Sequence, residues 1–421
     1  MPRLGKRHLV EPSRSPCVHP RHALSPLRAL SVTLRQVKLR REPSVKLSRT
    51  GIAAGILVSA VALAACGSSS KPSAAPSTTD TGASSPVATA SASYPAVVCS
   101  KGTLNSDGST AQQNAMTEWI KDYQAQCSGT TVNYSGGGSG QGVTDFTGSH
   151  VDFAGSDSAL SPTKGEVAAA ATRCGSPALD LPMVVGPVAV AFKVNGVSTL
   201  TLTPKVLAEI FLGKIAKWND PAIAAINSGA TLPNEAITVF YRSDQSGTTQ
   251  NFETYLAAND PTDFTATPSK VWAGKVGQGK SGSQGVQQAV ESTEGAIAYD
   301  EYSYAVSGNL DTAMIDNGGG AVALSPTTAS AAVDSATIVG TGNDLTLKLN
   351  YKTKAAGAYP IVLVTYELAC TKYSNAATGA LVKSFLTYTS GPGQASLKQL
   401  GYAPLPANIL TKVQASVAAI S

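Results

Sequence analysis

Residues 237–258 read ITVFYRSDQSGTTQNFETYLAA. Ile237–Tyr241 is a β-branched and aromatic run, which predicts a strand. The polar segment Arg242–Thr248 follows. Phe252, Tyr255 and Leu256 then fall on one helical face, so Ser246–Ala258 is predicted as a helix. A strand that feeds a helix through a turn rich in Gly, Ser and Thr is the building unit of α/β proteins with mostly parallel sheets. The turn also carries chemistry. A helix N-terminus presents unpaired N–H donors and a partial positive charge, so it favours an anion. Ser246 and Thr248 add hydroxyl donors, Gly247 lets the backbone approach closely, and Arg242 supplies a planar, permanently charged fork suited to an oxyanion.

The same unit recurs on both sides. Ala111–Gln124 is predicted as a helix, with Ala115, Met116, Trp119, Ile120 and Tyr123 at helical spacing. Strands are predicted at Val132–Tyr134, Val151–Ala154, Pro182–Val194, Ala296–Tyr299 and Ile361–Leu368. Thr203-Pro204 and Asp220-Pro221 read as caps followed by Pro at the first helical position. No internal repeat is visible, and the body exceeds one comfortable core, so two α/β lobes are expected. Three further polar segments stand beside Arg242–Thr248: Ser106–Thr110 before the first helix, Ser135–Gly142 (SGGGSGQG) after a strand, and Asp152–Asp157 at a strand end. Taken singly, these are an ordinary helix cap, an ordinary loop and a turn-capping aspartate, and Arg242 with Asp244 would be a surface ion pair. The Gly-rich loop is neither a Walker A motif, having no Gly-Lys-Ser/Thr, nor a dinucleotide fingerprint. The shared anion-holding chemistry of all four segments is what points to a site.

Composition narrows the classes. Of 32 Lys+Arg and 27 Asp+Glu, residues 1–65 hold 12 basic and two acidic, so the body from residue 66 has 20 basic and 25 acidic residues. A mildly acidic body argues against a nucleic-acid partner. His150 is its one histidine. A His-rich metal site is excluded, and a Ser-His-Asp triad would have to use His150. No metal or cofactor is expected. Four body cysteines, Cys99, Cys127, Cys174 and Cys370, predict two disulfides in an exported chain, with three pairings open. Cys99 and Cys127 flank one strand-loop-helix unit and are the favoured pair, leaving Cys174 with Cys370.

The export reading comes from the N-terminal region. Residues 51–65, GIAAGILVSAVALAA, are an uncharged apolar run that follows Lys46 and Arg49 and ends at Cys66. It is too short for a comfortable membrane span and describes a secretory signal over 45–65. Leu63–Gly67 resembles a bacterial lipobox, which makes Cys66 the lipidated mature N-terminus. Residues 1–44 fit no such scheme and are expected to be an extension upstream of a true start at Val45. Residues 66–98 are the lipidated cysteine and a disordered tether, Ser, Thr, Ala and Pro making up 24 of residues 67–98.

The ordered segments GTLNSDGSTAQ, VNYSGGGSGQGV, VDFAGSDSAL, FLGKIAKWNDPAI, FYRSDQSGTTQNF and GAIAYDEYSYA resemble those of the phosphate-binding proteins of phosphate-specific ABC importers, from about Cys99 to the GYAPLP stretch. The resemblance implies a two-lobed type II periplasmic-binding-protein fold with phosphate in the interlobe cleft. Carried over by motif, it implies phosphate contacts from Ser109, Thr110, the Ala111 backbone, Ser139, Asp157, Arg242, Ser246, Gly247 and Thr248, with Asp244 supporting the arginine. Two positions depart from the family: Ala111 replaces a bulky apolar residue, and Gly140 stands where some relatives have Ser. Lobe crossings are implied near 186–191 and 355–360, giving 99–188 plus 357–421 as lobe one and 189–356 as lobe two. The expected role is extracytoplasmic capture of inorganic phosphate by a lipid-anchored monomer at the outer face of the cell membrane. The phosphate would then be delivered to the membrane and ATPase subunits of the importer, with no enzyme activity. The alternatives are a binding protein for another oxyanion, and a secreted phosphohydrolase, which would need a base, a nucleophile or a metal.

Overall fold

The computed structural model describes residues 94–421. The predictions for 1–44, for the signal at 45–65, for Cys66 and for the tether up to residue 93 lie outside the described residues.

Nine strands form the main sheet: β1 (Gly102–Gly108), β2 (Thr130–Ser135), β3 (Phe153–Ser156), β4 (Ala178–Lys193), β5 (Thr238–Arg242), β6 (Gln278–Lys280), β7 (Ala296–Glu301), β8 (Asp311–Thr312) and β9 (Val362–Cys370). Their order is β2-β1-β3-β9-β4-β7-β5-β6, with β8 paired to β4. The mostly parallel sheet expected from the sequence is corrected to a mixed one. The wings, β2-β1-β3 and β7-β5-β6, are parallel, whereas β9 runs antiparallel to β3 and β4, and β4 antiparallel to β7. The reason is that the two central strands carry the chain between wings instead of returning through a helical crossover.

β4 is long enough, at 16 residues, to serve both halves. Its first part pairs with β9 and its last part, from Val188, with β7. The apolar cores divide along it. Met183, Val184 and Val185 pack with Leu104, Trp119, Phe146 and Phe153, whereas Val188, Val190 and Phe192 pack with Phe211, Trp218, Phe252 and Tyr299. β9 starts the same way: Val362 and Val364 face the first core and Leu363 the second, as the two-residue period of a strand buried on both faces requires.

Helices α1 (Gln113–Gln126), α2 (Ser139–Thr147), α3 (Glu166–Cys174), α4 (Pro204–Phe211), α5 (Gly247–Asn259), α6 (Gly282–Ser292), α7 (Pro326–Val333) and α8 (Ala376–Thr389) cover the sheet. The predicted caps hold: Thr203 accepts from the Val206 N–H, and Asp220 from that of Ala222. Ala329, Ala332 and Val333 of α7, with Leu345 and Leu347, pack in the first core although the family resemblance implies 189–356 as lobe two. Both disulfides form as favoured, Cys99–Cys127 and Cys174–Cys370. Among the described residues, no helix is long and apolar enough to cross a membrane.

Candidate functional site

Each of the four polar segments sits where a strand of a parallel wing ends, which is where open α/β sheets place ligand sites. Ser106, Asp107 and Gly108 are the end of β1 rather than a loop, so only Ser109 and Thr110 turn toward α1. The alternation of β1 is masked by its polar residues, and no apolar run marks it. Gly108 has φ of 148°, and a Cβ there would lie 2.1 Å from the Gly155 carbonyl oxygen. The close approach of β1 and β3 therefore demands a glycine.

Asp157 is the centre of the cluster. It is buried, and its carboxylate collects hydroxyl donors from three elements: Thr248 at 3.1 Å and Ser139 at 3.3 Å on one oxygen, Thr365 at 2.8 Å on the other. Burial raises its pKa, opposed by hydroxyl donors and by the Arg242 charge. Arg242 is buried as well. Its Nε donates to Asp244 Oδ1 at 2.8 Å, its Nη2 to Asp244 Oδ2, and its Nη1 to Ser283 Oγ at 3.2 Å. Burial works against the charged guanidinium, but the hydrogen bond and charge of Asp244 outweigh it, and its pKa is raised. Burial likewise pushes Asp244 up, and Arg242 more than reverses this, holding the carboxyl below its ordinary range. The pair is a fixed bidentate clamp.

Ser139 opens α2, and Gly247 and Thr248 open α5 behind the Ser246 cap, so their N–H groups have no intrahelical acceptor. These two helix starts meet at Asp157, because a Cβ on Gly247 would fall 2.6 Å from Asp157 Cβ and 2.7 Å from Ser139 Oγ. Thr110 joins through Ser283, which donates its N–H to Thr110 Oγ1 at 3.1 Å while bonded to Arg242. The structure thus gathers Ser109, Thr110, Ser139, Asp157, Arg242, Asp244, Ser246, Gly247 and Thr248. The Ala111 N–H is engaged with Ser109 Oγ at 3.0 Å, and the Ala111 side chain packs in the second core. The Gly140 departure has a cause: its N–H donates to the Gln245 carbonyl at 2.8 Å, and a Cβ there would stand 2.4 Å from Gln245 Cβ.

Several residues of this site escaped the sequence reading. Thr365 interrupts the apolar run of β9, and that interruption was its signal. Ser283 lies in the first turn of α6, two residues after Ser281, which precedes α6 as Ser246 precedes α5. Tyr304 and Tyr402, whose hydroxyls donate to the carbonyls of Thr110 and Ala111, gave no signal at all. His150 is not part of the site; it pairs with Asp145 at 3.2 Å on an exposed surface. Among the described residues, no group of three or more His, Cys, Asp or Glu is placed to hold a metal ion.

A mixed sheet whose two cores divide along one long strand, with a buried cradle of helix N-termini and a clamped arginine, is that of a two-lobed solute-binding protein for a small oxyanion. The model of the PBP superfamily domain matches residues 75–392. The phosphate-binding protein PstS 3 of Mycobacterium leprae is 43% identical over 382 residues, 90% of this chain and 100% of that protein. The phosphate-binding protein PstS of Xylella fastidiosa is 31% identical over 312 residues, 71% of this chain and 80% of that protein. The chain belongs to the PstS family of phosphate-binding proteins. Among solved structures, the ancestral soluble variant of the human phosphate binding protein has a TM-score of 0.59 at 25% identity, covering 75% of this chain and 93% of that one. The phosphate-bound periplasmic protein PfluDING, with a TM-score of 0.61 at 23% identity over 75% of this chain and 93% of that one, shares the fold.

Proposed function

We propose that this chain binds inorganic phosphate in the cradle around Asp157 and Arg242 and delivers it to the membrane subunits of an ABC importer. The observation that carries this reading is the pairing of a buried, clamped arginine with a buried carboxylate among unpaired helix N–H groups. The arginine and the N–H groups favour any oxyanion. The carboxylate accepts hydrogen bonds only, so it fits a ligand oxygen that still bears a proton. Phosphate keeps one or two protons near neutral pH and sulfate has none. Ser109, Thr110, Ser139, Ser246, Gly247 and Thr248 supply the remaining donors, and Asp244 keeps the guanidinium charged and oriented.

The lobes we infer are 99–188 with 357–421, and 189–356, with the cleft between them as the phosphate site. Division of the cores along β4 supports the first crossing, while the packing of residues 329–347 would move that segment to lobe one. We place the protein at the outer face of the membrane, as a monomer held by lipid on Cys66, on the lipobox-like sequence. A hydrolytic role finds no support in His150, which stands on the surface with Asp145. Calorimetric titration of the purified chain with phosphate and with sulfate tests the reading. One phosphate bound per chain with sulfate excluded is expected, and equal binding of both anions would reject the role given to Asp157.

A further inference from the structure

Beneath the Ser109–Ala111 loop lies a buried polar cluster that the anion contacts do not use. Glu367 sits on β9 opposite Gly155 and is fully buried. Neither of its carboxyl oxygens meets a donor. The Gln112 amide lies against it, and Gln112 Oε1 is also buried without a donor. Beyond that point the contacts are complete: Gln112 Nε2 donates to the Tyr134 hydroxyl oxygen at 3.1 Å, and the Tyr134 O–H donates to the Ser109 carbonyl at 2.7 Å. Gly155 leaves the room for this. A Cβ there would stand 2.0 Å from Gln112 Nε2 and 2.7 Å from the Tyr134 oxygen.

Resting on the phosphate reading, we propose that Glu367 heads a one-way hydrogen-bond chain, Glu367–Gln112–Tyr134–Ser109, that positions and polarises the Ser109–Thr110 peptide for the anion. Three buried acceptor oxygens without a donor are costly. One proton on Glu367 settles two of the three, because its hydroxyl oxygen becomes a donor to Gln112 Oε1 and only the second Glu367 oxygen is left without a donor. That contact fixes which way the amide faces, so its NH2 meets Tyr134, and the tyrosine O–H is left to the Ser109 carbonyl. Burial pushes Glu367 up to about 8, the Gln112 contact opposes this, and the Asp157 charge adds to it, so the carboxyl keeps its proton at neutral pH. Burial holds Tyr134 well above its ordinary range, so it remains a donor. The Ser109 carbonyl and the Thr110 N–H are two ends of one peptide. A donor on the carbonyl draws electron density from the N–H and strengthens it toward an acceptor. The Ser109 N–H, bonded to the Gly155 carbonyl at 2.9 Å, fixes the other side of the loop. A neutral acid achieves this without setting a negative charge behind the anion.

The test compares Tyr134→Phe, which keeps the ring and removes the last link, with Glu367→Leu and Glu367→Gln in the full chain, titrated with inorganic phosphate. Tyr134→Phe and Glu367→Leu are each expected to weaken binding about 3- to 10-fold. The double variant is expected to be no weaker than either single one, since both cut one chain. Glu367→Gln, whose amide still donates to Gln112, restores most of the affinity lost in Glu367→Leu. In the phosphate complex the Thr110 amide proton resonance moves upfield in Tyr134→Phe and in Glu367→Leu and stays at its wild-type position in Glu367→Gln, a change that loss of packing alone would not produce. If Glu367→Leu fails to fold, the carboxyl carbon resonance of Glu367 in the wild-type chain decides: the protonated position at neutral pH supports the chain of bonds, and the ionised position overturns it. Absence of phosphate binding by the wild type would defeat the functional reading. A wild type that binds, beside a Tyr134→Phe variant with unchanged affinity and an unchanged Thr110 resonance, would overturn the chain alone.

Discussion

Arg242 and Asp157 place opposite charges in one small buried cradle, and each has a separate consequence. Arg242 reaches Asp244 with two nitrogens and donates from Nη1 to Ser283 Oγ. Lysine retains the charge but offers no planar fork. Arg242→Lys is therefore expected to weaken phosphate binding roughly 10- to 150-fold, the range of a charge-assisted hydrogen bond of about 1.5–3 kcal/mol. Calorimetry reads this directly, and an unchanged dissociation constant would remove Arg242 from the site. The role proposed for Asp157 is selectivity. A proton-free sulfate oxygen would face its carboxylate with no hydrogen between them, and sites built to pair a ligand hydroxyl reject analogues lacking it by about 10⁴–10⁵. Asparagine can donate as well as accept. Asp157→Asn is expected to narrow the preference for phosphate over sulfate while Thr365, Thr248 and Ser139 still find a partner and hold the fold. Competition of sulfate against labelled phosphate, with melting followed in parallel, measures it; sulfate equally excluded by a folded variant would refute the selectivity role.

At the scale of elements, what the sequence made legible was whatever leaves a local mark. Capped starts such as Thr203-Pro204 and Asp220-Pro221, the apolar stripe of α1 and the strand-turn-helix unit at Ile237–Ala258 each obey a period or a turn rule. All four polar segments stood out because their residue types mark strand ends and helix starts locally. What stayed hidden depends on partners distant in sequence. β1 carries Asn105, Ser106 and Asp107 yet is a strand because β2 and β3 flank it. The antiparallel middle of the sheet depends on β9 returning from far along the chain. Thr365, Ser283, Tyr304 and Tyr402 act at the site only after both halves have folded together. The start of α2 shows how tight that meeting is, since the Gly140 Cα lies against Gln245. Gly140→Ala is expected to weaken phosphate binding by wedging α2 away from the Asp244–Ser246 turn. Gly140→Ala combined with Gln245→Gly should recover it, because the second change removes the atoms the new methyl meets. Titration of the three chains settles this, and a single variant that binds like the wild type would show that the helix start has room to move.

At the scale of the whole molecule, buried acids set the response to pH. Burial pushes Asp180 up to about 7 and Asp300 and Glu367 up to about 8. A carboxyl whose pKa is raised by folding stabilises fully below its unfolded value near 4, and that contribution disappears as pH rises through the folded value. Asp244 works the other way, and its contribution is lost below about pH 4. The ligand-free protein should therefore melt at its highest temperature in mildly acidic solution and at progressively lower temperatures from about pH 5 to pH 8; a flat profile over that window would contradict buried, neutral acids. Phosphate acts on the same molecule through closure. Contacts that join residues of the two inferred lobes are formed here: Gly140 N–H to the Gln245 carbonyl, Asn251 to the Asp157 carbonyl at 2.7 Å, and Lys270 to Glu166 at 3.5 Å. The inferred lobes share β4 and β9, the strands whose residues are divided between the two cores. A ligand shifts such an equilibrium only by its differential affinity for the two states. An anion held by Thr110, Ser139 and Asp157 on one side and by Arg242, Gly247 and Thr248 on the other has its full set of contacts only when the lobes are together. Phosphate is therefore expected to reduce the radius of gyration measured by solution scattering, and Asp157→Asn or Arg242→Lys to require more phosphate for the same change. Scattering curves that coincide with and without saturating phosphate would show that the cradle is already assembled in the free protein, and that the strands between the lobes do not act as a hinge.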